Sequence, residues 1–160
     1  MLQVMMTMAA GALGTLQVGS TSFAAGGAIP GRFTCAGADL PPELHWSAPP
    51  TGTRSFALLV EDPDAPGGAF VHWVLYGIPA GTRSLDEGGA AAGRSGGNDF
   101  GRDGYGGPCP PPGAPHHYHF KVFALDRELT LPAGASAADL RRAMRGHVLA
   151  EGTLIGTFGR

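Results

Sequence analysis

The chain lacks a surplus of either charge. Its 160 residues carry 11 Lys and Arg against 13 Asp and Glu, for a formal net charge of −2. A nucleic-acid-binding domain shows a basic patch or stripe, and no such clustering occurs here, so nucleic acid is excluded as a partner. Long apolar runs are also missing. No stretch approaches the roughly 20 residues that a bilayer-spanning helix needs, and no membrane span is expected. Cysteine is scarce, with only Cys35 and Cys109. Two are too few for a disulfide scaffold, and their spacing fits no zinc pattern. The default in a reducing cytosol is two thiols; one bridge is open if the fold brings them together. A Gly-x-Ser-x-Gly elbow is absent, and no P-loop lysine follows the glycine-rich stretches. Those absences argue against a serine hydrolase of that kind and against nucleotide hydrolysis. There is no internal repeat.

Glycine and proline are plentiful, at 27 and 14 residues, about a quarter of the chain. That share approaches the composition of disordered chains. Here, though, the glycines punctuate apolar runs, which reads as many turns between short strands. The length suits one domain with a sizeable core. Residues 1–14 read as an apolar, flexible extension and residues 15–160 as the domain. Met1 to Leu13 ends near the small residues Ala10-Gly11-Ala12, but no Lys or Arg precedes it, as a secretory leader requires. A cytoplasmic protein is therefore expected.

Strands are expected over Thr15–Phe23, Ala28–Cys35, Glu43–Ser47, Ser55–Glu61, Phe70–Ile78, His116–Leu125 and Gly152–Phe158. Short strands at roughly ten-residue spacing are the pattern of an all-β sandwich or barrel. Gly81 to Gly107 carries no periodicity and is long for a connection. Ser136-Ala-Ala-Asp139 resembles a capping box, and Leu140, Ala143, Met144, His147 and Val148 follow at helical spacing. One short C-terminal helix is expected there.

The chemistry concentrates around Asp62-Pro63-Asp64-Ala65-Pro66, followed by Phe70-Val71-His72-Trp73. Two strands enter and leave a loop stiffened by proline. Asp62 and His72 flank it. Asp64 reads mainly as a turn residue bonding its own backbone, with Pro63 and Pro66 shaping the loop. On the strand from His116, period two places His116, Tyr118, Phe120, Val122 and Ala124 on one face, pointing inward. His117, His119, Lys121 and Phe123 take the other. The His-His-Tyr-His cluster therefore cannot all ligate one ion. His72 alone is more often a core histidine; read on one strand face with Phe70, Val74 and Tyr76, it gains weight from His116. Histidines and a tyrosine hydroxyl can donate to a phosphate or carboxylate oxygen. Asp62 would orient one histidine and favour its charged form.

Three blocks carry a resemblance: Asp62-Pro-Asp-Ala-Pro66 with His72-Trp73, Gly106-Gly-Pro-Cys-Pro-Pro-Pro-Gly113, and His116-His-Tyr118 entering a strand. With Ile29-Pro30, Thr34-Cys35 and Leu44-His-Trp46, they resemble the phosphatidylethanolamine-binding proteins. That superfamily includes the Raf kinase inhibitor protein, and the resemblance is to its bacterial and archaeal branch. It implies a mostly β fold, a sandwich with a small anion pocket at one end. By resemblance the pocket falls on Asp62, His72, His116 and Tyr118. Backbone near Ala65, Cys109 and Pro111 completes it, and Phe70 forms an aromatic wall. Such pockets accept phosphate-like groups, including the headgroup of phosphatidylethanolamine. Two departures stand out: Phe158 occupies a position where relatives often have Tyr, and Pro111 and His116 are one residue closer than in animal relatives.

The expected function is binding of a small anion or phosphate-bearing headgroup without turnover and without a cofactor. A metal-dependent or cysteine hydrolase is the enzymatic alternative. A surface-acting inhibitor of a protein partner, such as a kinase, is the third reading. Exposed edge strands leave a homodimer open.

Overall fold

Ser55-Phe-Ala-Leu-Leu-Val-Glu-Asp62 shows no apolar and polar alternation, and all eight residues are buried. A strand of that kind needs cover on both faces. The computed structural model shows how the cover is built. It describes residues 13–89 and 92–160. Residues 1–12, most of the expected extension, lie outside the described residues. The elements in chain order are β1 (Gly14–Thr15), β2 (Val18–Gly19), β3 (Leu44–Trp46), β4 (Ser55–Asp62), β5 (Phe70–Pro79), β6 (Ser84–Leu85), β7 (Arg94–Ser95), β8 (His116–Leu125), α1 (Ala137–Met144) and β9 (Val148–Phe158).

Among the described residues, one sheet has six strands in the order β1-β9-β8-β4-β5-β7, and a second has three in the order β2-β3-β6. The mostly β fold expected from the sequence is therefore present. Alternate residues of β4 serve two cores. Phe56, Leu58 and Val60 join Trp46, Trp73, Phe120 and Val122 in the inner core. Ala57 and Leu59 face the other way, packing with Val74, Tyr76, Leu140 and Met144 beneath α1. Glu61 continues that outer face. Its carboxylate accepts from Lys121 at 2.8 Å and from Arg141 at 2.6 Å, fastening β4, β8 and α1 together. Asp62 follows on the inner face, at the open end of the sandwich.

The inward phase of β8 is as expected, because Tyr118, Phe120, Val122 and Ala124 are buried. Ser136 does cap α1: its Oγ accepts from the Asp139 amide, and the Asp139 carboxylate accepts from the Ser136 amide. The helix is shorter than its periodicity implied. It ends at Met144, and Val148 already belongs to β9. Gly146, at φ 78°, breaks it. Ala28 to Cys35 is not a strand. Only Ala28 bridges β9, and Gly31–Phe33 forms one 3-10 turn after Pro30. Thr15 to Phe23 yields two strands of two residues, the first pairing with β9 and the second with β3. In both segments tertiary pairing, not local alternation, sets the structure.

The main surprise lies in β5. Val60 pairs with Trp73, but Glu61 pairs with Val71, so His72 is an extra residue. This β-bulge turns both His72 and Trp73 to the inner side. His72 therefore does not share a face with Val74 and Tyr76, which pack beneath α1. Bulges re-aim side chains in this way, and period two cannot anticipate them.

β9 lies close against the inner core. Gly156 pairs with Tyr118, and a Cβ there would come within 2.6 Å of Ile29 and 2.7 Å of Phe23. Gly156→Ala is expected to destabilise the fold by about 1–3 kcal/mol through overpacking, read from urea unfolding. A change within about 0.5 kcal/mol, the range of ordinary surface substitutions, would contradict this packing.

Candidate functional site

The ends of β4, β5 and β8 meet beneath two loops. The first is the hairpin loop between Asp62 and Phe70. The second runs from Gly106 to Pro115 and enters β8. A cavity of about 180 Å³ lies between them. Asp62, His72, His116 and Tyr118 all line it, as do Ala65, Phe70, Cys109 and Pro111. Every residue expected at the pocket is thus brought to one place. Pro66, expected only to shape the loop, also lines the cavity. Pro63 is exposed in the turn.

Asp62 is the hub. It is 3% exposed. One carboxylate oxygen accepts from the Asp64 amide at 2.8 Å, and the other lies 2.6 Å from Nδ1 of His116. A carboxylate can only accept, so Nδ1 of His116 carries the hydrogen and Nε2 is left for the cavity. Asp62 thus orients His116. It does not bond His72. Asp64 faces outward, accepting from the His117 amide at 2.8 Å and from His117 Nδ1 at 2.7 Å. Those bonds hold its carboxyl below the usual carboxylate range and tie the hairpin loop to β8.

His72 is held by backbone instead. Its Nδ1 lies 2.7 Å from the Gly106 carbonyl, while the Gly106 amide donates to the His72 carbonyl at 3.0 Å. Phe70 at 5.0 Å, Phe100 at 5.4 Å and Tyr118 at 5.2 Å surround its ring. Burial among them pushes its pKa below the ordinary 6.5, only partly offset by the Gly106 carbonyl and Asp62. His72 is therefore held in its neutral form.

Tyr118 carries a buried, unpaired hydroxyl. Its ring is 1% exposed. Its hydroxyl is one of two buried side-chain polar atoms without a partner among the described residues, the other being Trp46 Nε1 in the core. Burial, reinforced by the charges of Asp62 and Asp64, raises the phenol pKa. The group stays protonated and has a hydrogen to donate.

The second loop is pinned at several points. Cys35 and Cys109 form a disulfide, the bridge that the sequence left open, and Cys109 has no free thiol for nucleophilic chemistry. Tyr105 donates to the Phe33 carbonyl at 2.6 Å, and the Gly107 amide donates to Asp39 at 2.8 Å. A Cβ on Gly107 would sit 2.3 Å from the Phe33 carbonyl oxygen, so only glycine allows this approach. Arg160 Nε donates to the Pro110 carbonyl at 2.8 Å. Phe158 lies opposite His116 in the β8–β9 pairing.

Phe100 is a wall residue that the sequence reading missed. Its ring meets Phe70 edge-on at 4.8 Å. It sits in the stretch without periodicity; its one signal was being the sole aromatic between Leu85 and Tyr105.

The chain is thus a β-sandwich with a polar cluster lining a small cavity at its open end. The sequence model of the phosphatidylethanolamine-binding protein family matches residues 19–159, and the chain belongs to that family. A "UPF0098 protein" of Aquifex aeolicus is 49% identical over 152 residues, covering 91% of this chain and 89% of that protein. The crystal structure of the family homologue CT736 of Chlamydia trachomatis superposes with a TM-score of 0.87 at 36% identity, covering 91% of this chain and 98% of that one. The "Putative lipoprotein LppC" of Mycobacterium tuberculosis is 43% identical over 145 residues, covering 89% of this chain and 72% of that protein. Such relatives, from bacteria and archaea, place the chain in the branch its motifs indicated. LppC also corrects the cytoplasmic expectation, since this similar relative is named a lipoprotein. The Cys35–Cys109 bridge agrees with the correction, because such bridges persist in oxidising compartments.

The low pKa of His72 has a stability consequence. The unfolded chain takes up this proton first as pH falls, so the contribution is complete above the unfolded value and is lost as pH drops through the lower folded one. An NMR titration is expected to place the His72 ring midpoint below 6.5, with unfolding free energy declining on acidification across that window. A midpoint above it would contradict the buried, neutral assignment.

Proposed function

We propose that this chain is a binding protein without turnover, and that the cavity at the open end of the sandwich takes a small oxyanion. The group is a phosphate, free or carried on a headgroup or metabolite. Asp62, His72, His116 and Tyr118 are its polar contacts, and Phe70 and Phe100 are its wall. We place the protein outside the reducing cytosol, in keeping with the bridge and with the name of LppC.

The observation that carries this reading is the Tyr118 hydroxyl. A buried hydroxyl without a partner is costly, by about 1–3 kcal/mol. It is paid back when a ligand oxygen accepts from it. His116 is oriented by Asp62 through Nδ1, which turns Nε2 to the cavity. The size is also right: about 180 Å³ holds a phosphate and a short substituent, not a nucleotide. Cys109 is bridged, which removes the thiol that a cysteine hydrolase needs.

Isothermal titration with inorganic phosphate tests the assignment. Tyr118→Phe is expected to weaken binding roughly tenfold, equivalent to one hydrogen bond of about 1.4 kcal/mol. The same variant is expected to be at least as stable as the wild type without ligand, because it removes an unsatisfied group. Equal affinities for both proteins would sink the assignment. Loss of affinity together with a large loss of stability would make Tyr118 a packing residue instead.

A further inference from the structure

The hydrogen-bond bookkeeping of His72 sets a demand on what the pocket holds. The Gly106 carbonyl can only accept, so the hydrogen of neutral His72 resides on Nδ1. The remaining nitrogen, Nε2, then carries a lone pair and no hydrogen. Asp62 and Asp39 favour its charged form, but burial outweighs them. Asp62 spends both oxygens on His116 and the Asp64 amide. Asp39, behind the Gly106-Gly107 backbone, spends its oxygens on the Gly107 amide and on Arg102 at 3.4 Å. Tyr118 and His116 face the same cavity from β8, with Arg160 beyond Tyr118. None of the carboxylates is hydrogen-bonded to His72, which is 3% exposed among aromatic neighbours. A charged imidazolium there would have no carboxylate bonded to it, and burial makes that expensive.

We propose that the pocket selects an oxyanion that brings its own hydrogen, donated from an anion oxygen to Nε2 of His72 while another oxygen accepts from Tyr118. This rests on the anion reading above and narrows it. Two bare acceptors facing each other in a buried site repel, so an anion without a hydrogen leaves Nε2 unpaired. Hydrogen phosphate meets the demand at any ordinary pH. A phosphate monoester meets it only as the monoanion, below its second pKa of about 6. Sulfate and phosphate diesters do not meet it. Tyr118 sets where the anion sits, and His72 sets which protonation state is accepted.

Charge-matched ligands separate this from general anion affinity. Near pH 8, hydrogen phosphate, sulfate and methyl phosphate are all dianions, and only the first carries a hydrogen. Calorimetric titration of the wild-type protein is expected to show hydrogen phosphate binding at least about tenfold tighter than the other two, as sites built around a hydrogen bond discriminate. Near pH 5, methyl phosphate and dimethyl phosphate are both monoanions; methyl phosphate is expected to bind, and dimethyl phosphate to bind at least about tenfold more weakly. Equal affinities within each matched set would overturn the selection by His72 and leave the anion pocket standing. Binding of none of the four at millimolar concentration would overturn the anion pocket itself, and this inference with it.

Discussion

The carboxylate of Asp62 meets Nδ1 of His116 at 2.6 Å where β4 and β8 run out of partners, and much of the pocket follows from that contact. β4 lies between β5 and β8, paired with β8 in continuous register up to Glu61 and with β5, across the bulge, up to Asp62 itself. Asp62 therefore cannot move without shifting two strands. Its second oxygen starts the hairpin loop through the Asp64 amide, and Asp64 then returns to β8 through His117. One buried carboxylate thus sets a histidine, closes a loop and seals a sheet end. A buried charge is tolerated only when paired and bonded, and both conditions are met here.

The two histidines differ for structural reasons. His116 has a carboxylate beside it; His72 has a carbonyl. The difference comes from the bulge at His72, which turns the ring away from the outer face and sets it among Phe70, Phe100 and Tyr118. The pocket therefore offers a donor in Tyr118, an acceptor in His72, and a carboxylate-aligned ring in His116. That mixture suits a ligand with both acceptor and donor oxygens. Rigid surroundings keep the set in place, because the second loop is held by the Cys35–Cys109 bridge, by Tyr105 and by Arg160. Preorganisation of this kind lowers the cost of binding a small ligand.

Much of this was legible in the residues. The strand phase of β8 put His116 and Tyr118 inward, and the proline-rich hairpin loop marked the site. The family motifs then joined Asp62 and His72 to them. What stayed hidden depends on contacts between distant segments. The bulge at His72 appears only when β5 is paired with β4. Phe100 belongs to a stretch whose course is set by bonds such as Asp99 to Val71 at 2.7 and 2.9 Å, not by any local pattern. The Cys35–Cys109 pairing spans 74 residues of sequence, and neither cysteine's neighbours announce it. Short strands such as β1 and β2 exist because β9 and β3 supply partners, so periodicity over Thr15 to Phe23 read them as one.

The central claim is that Tyr118, His116 and His72 together hold one oxyanion at the end of the sandwich. A crystal structure of the protein soaked in hydrogen phosphate tests it most directly. The account expects a tetrahedral anion in the cavity beside Cys109 and Phe70, with oxygens within hydrogen-bonding distance of Tyr118 Oη, His116 Nε2 and His72 Nε2. A phosphate bound elsewhere, with the Tyr118 hydroxyl still unpartnered, would contradict it.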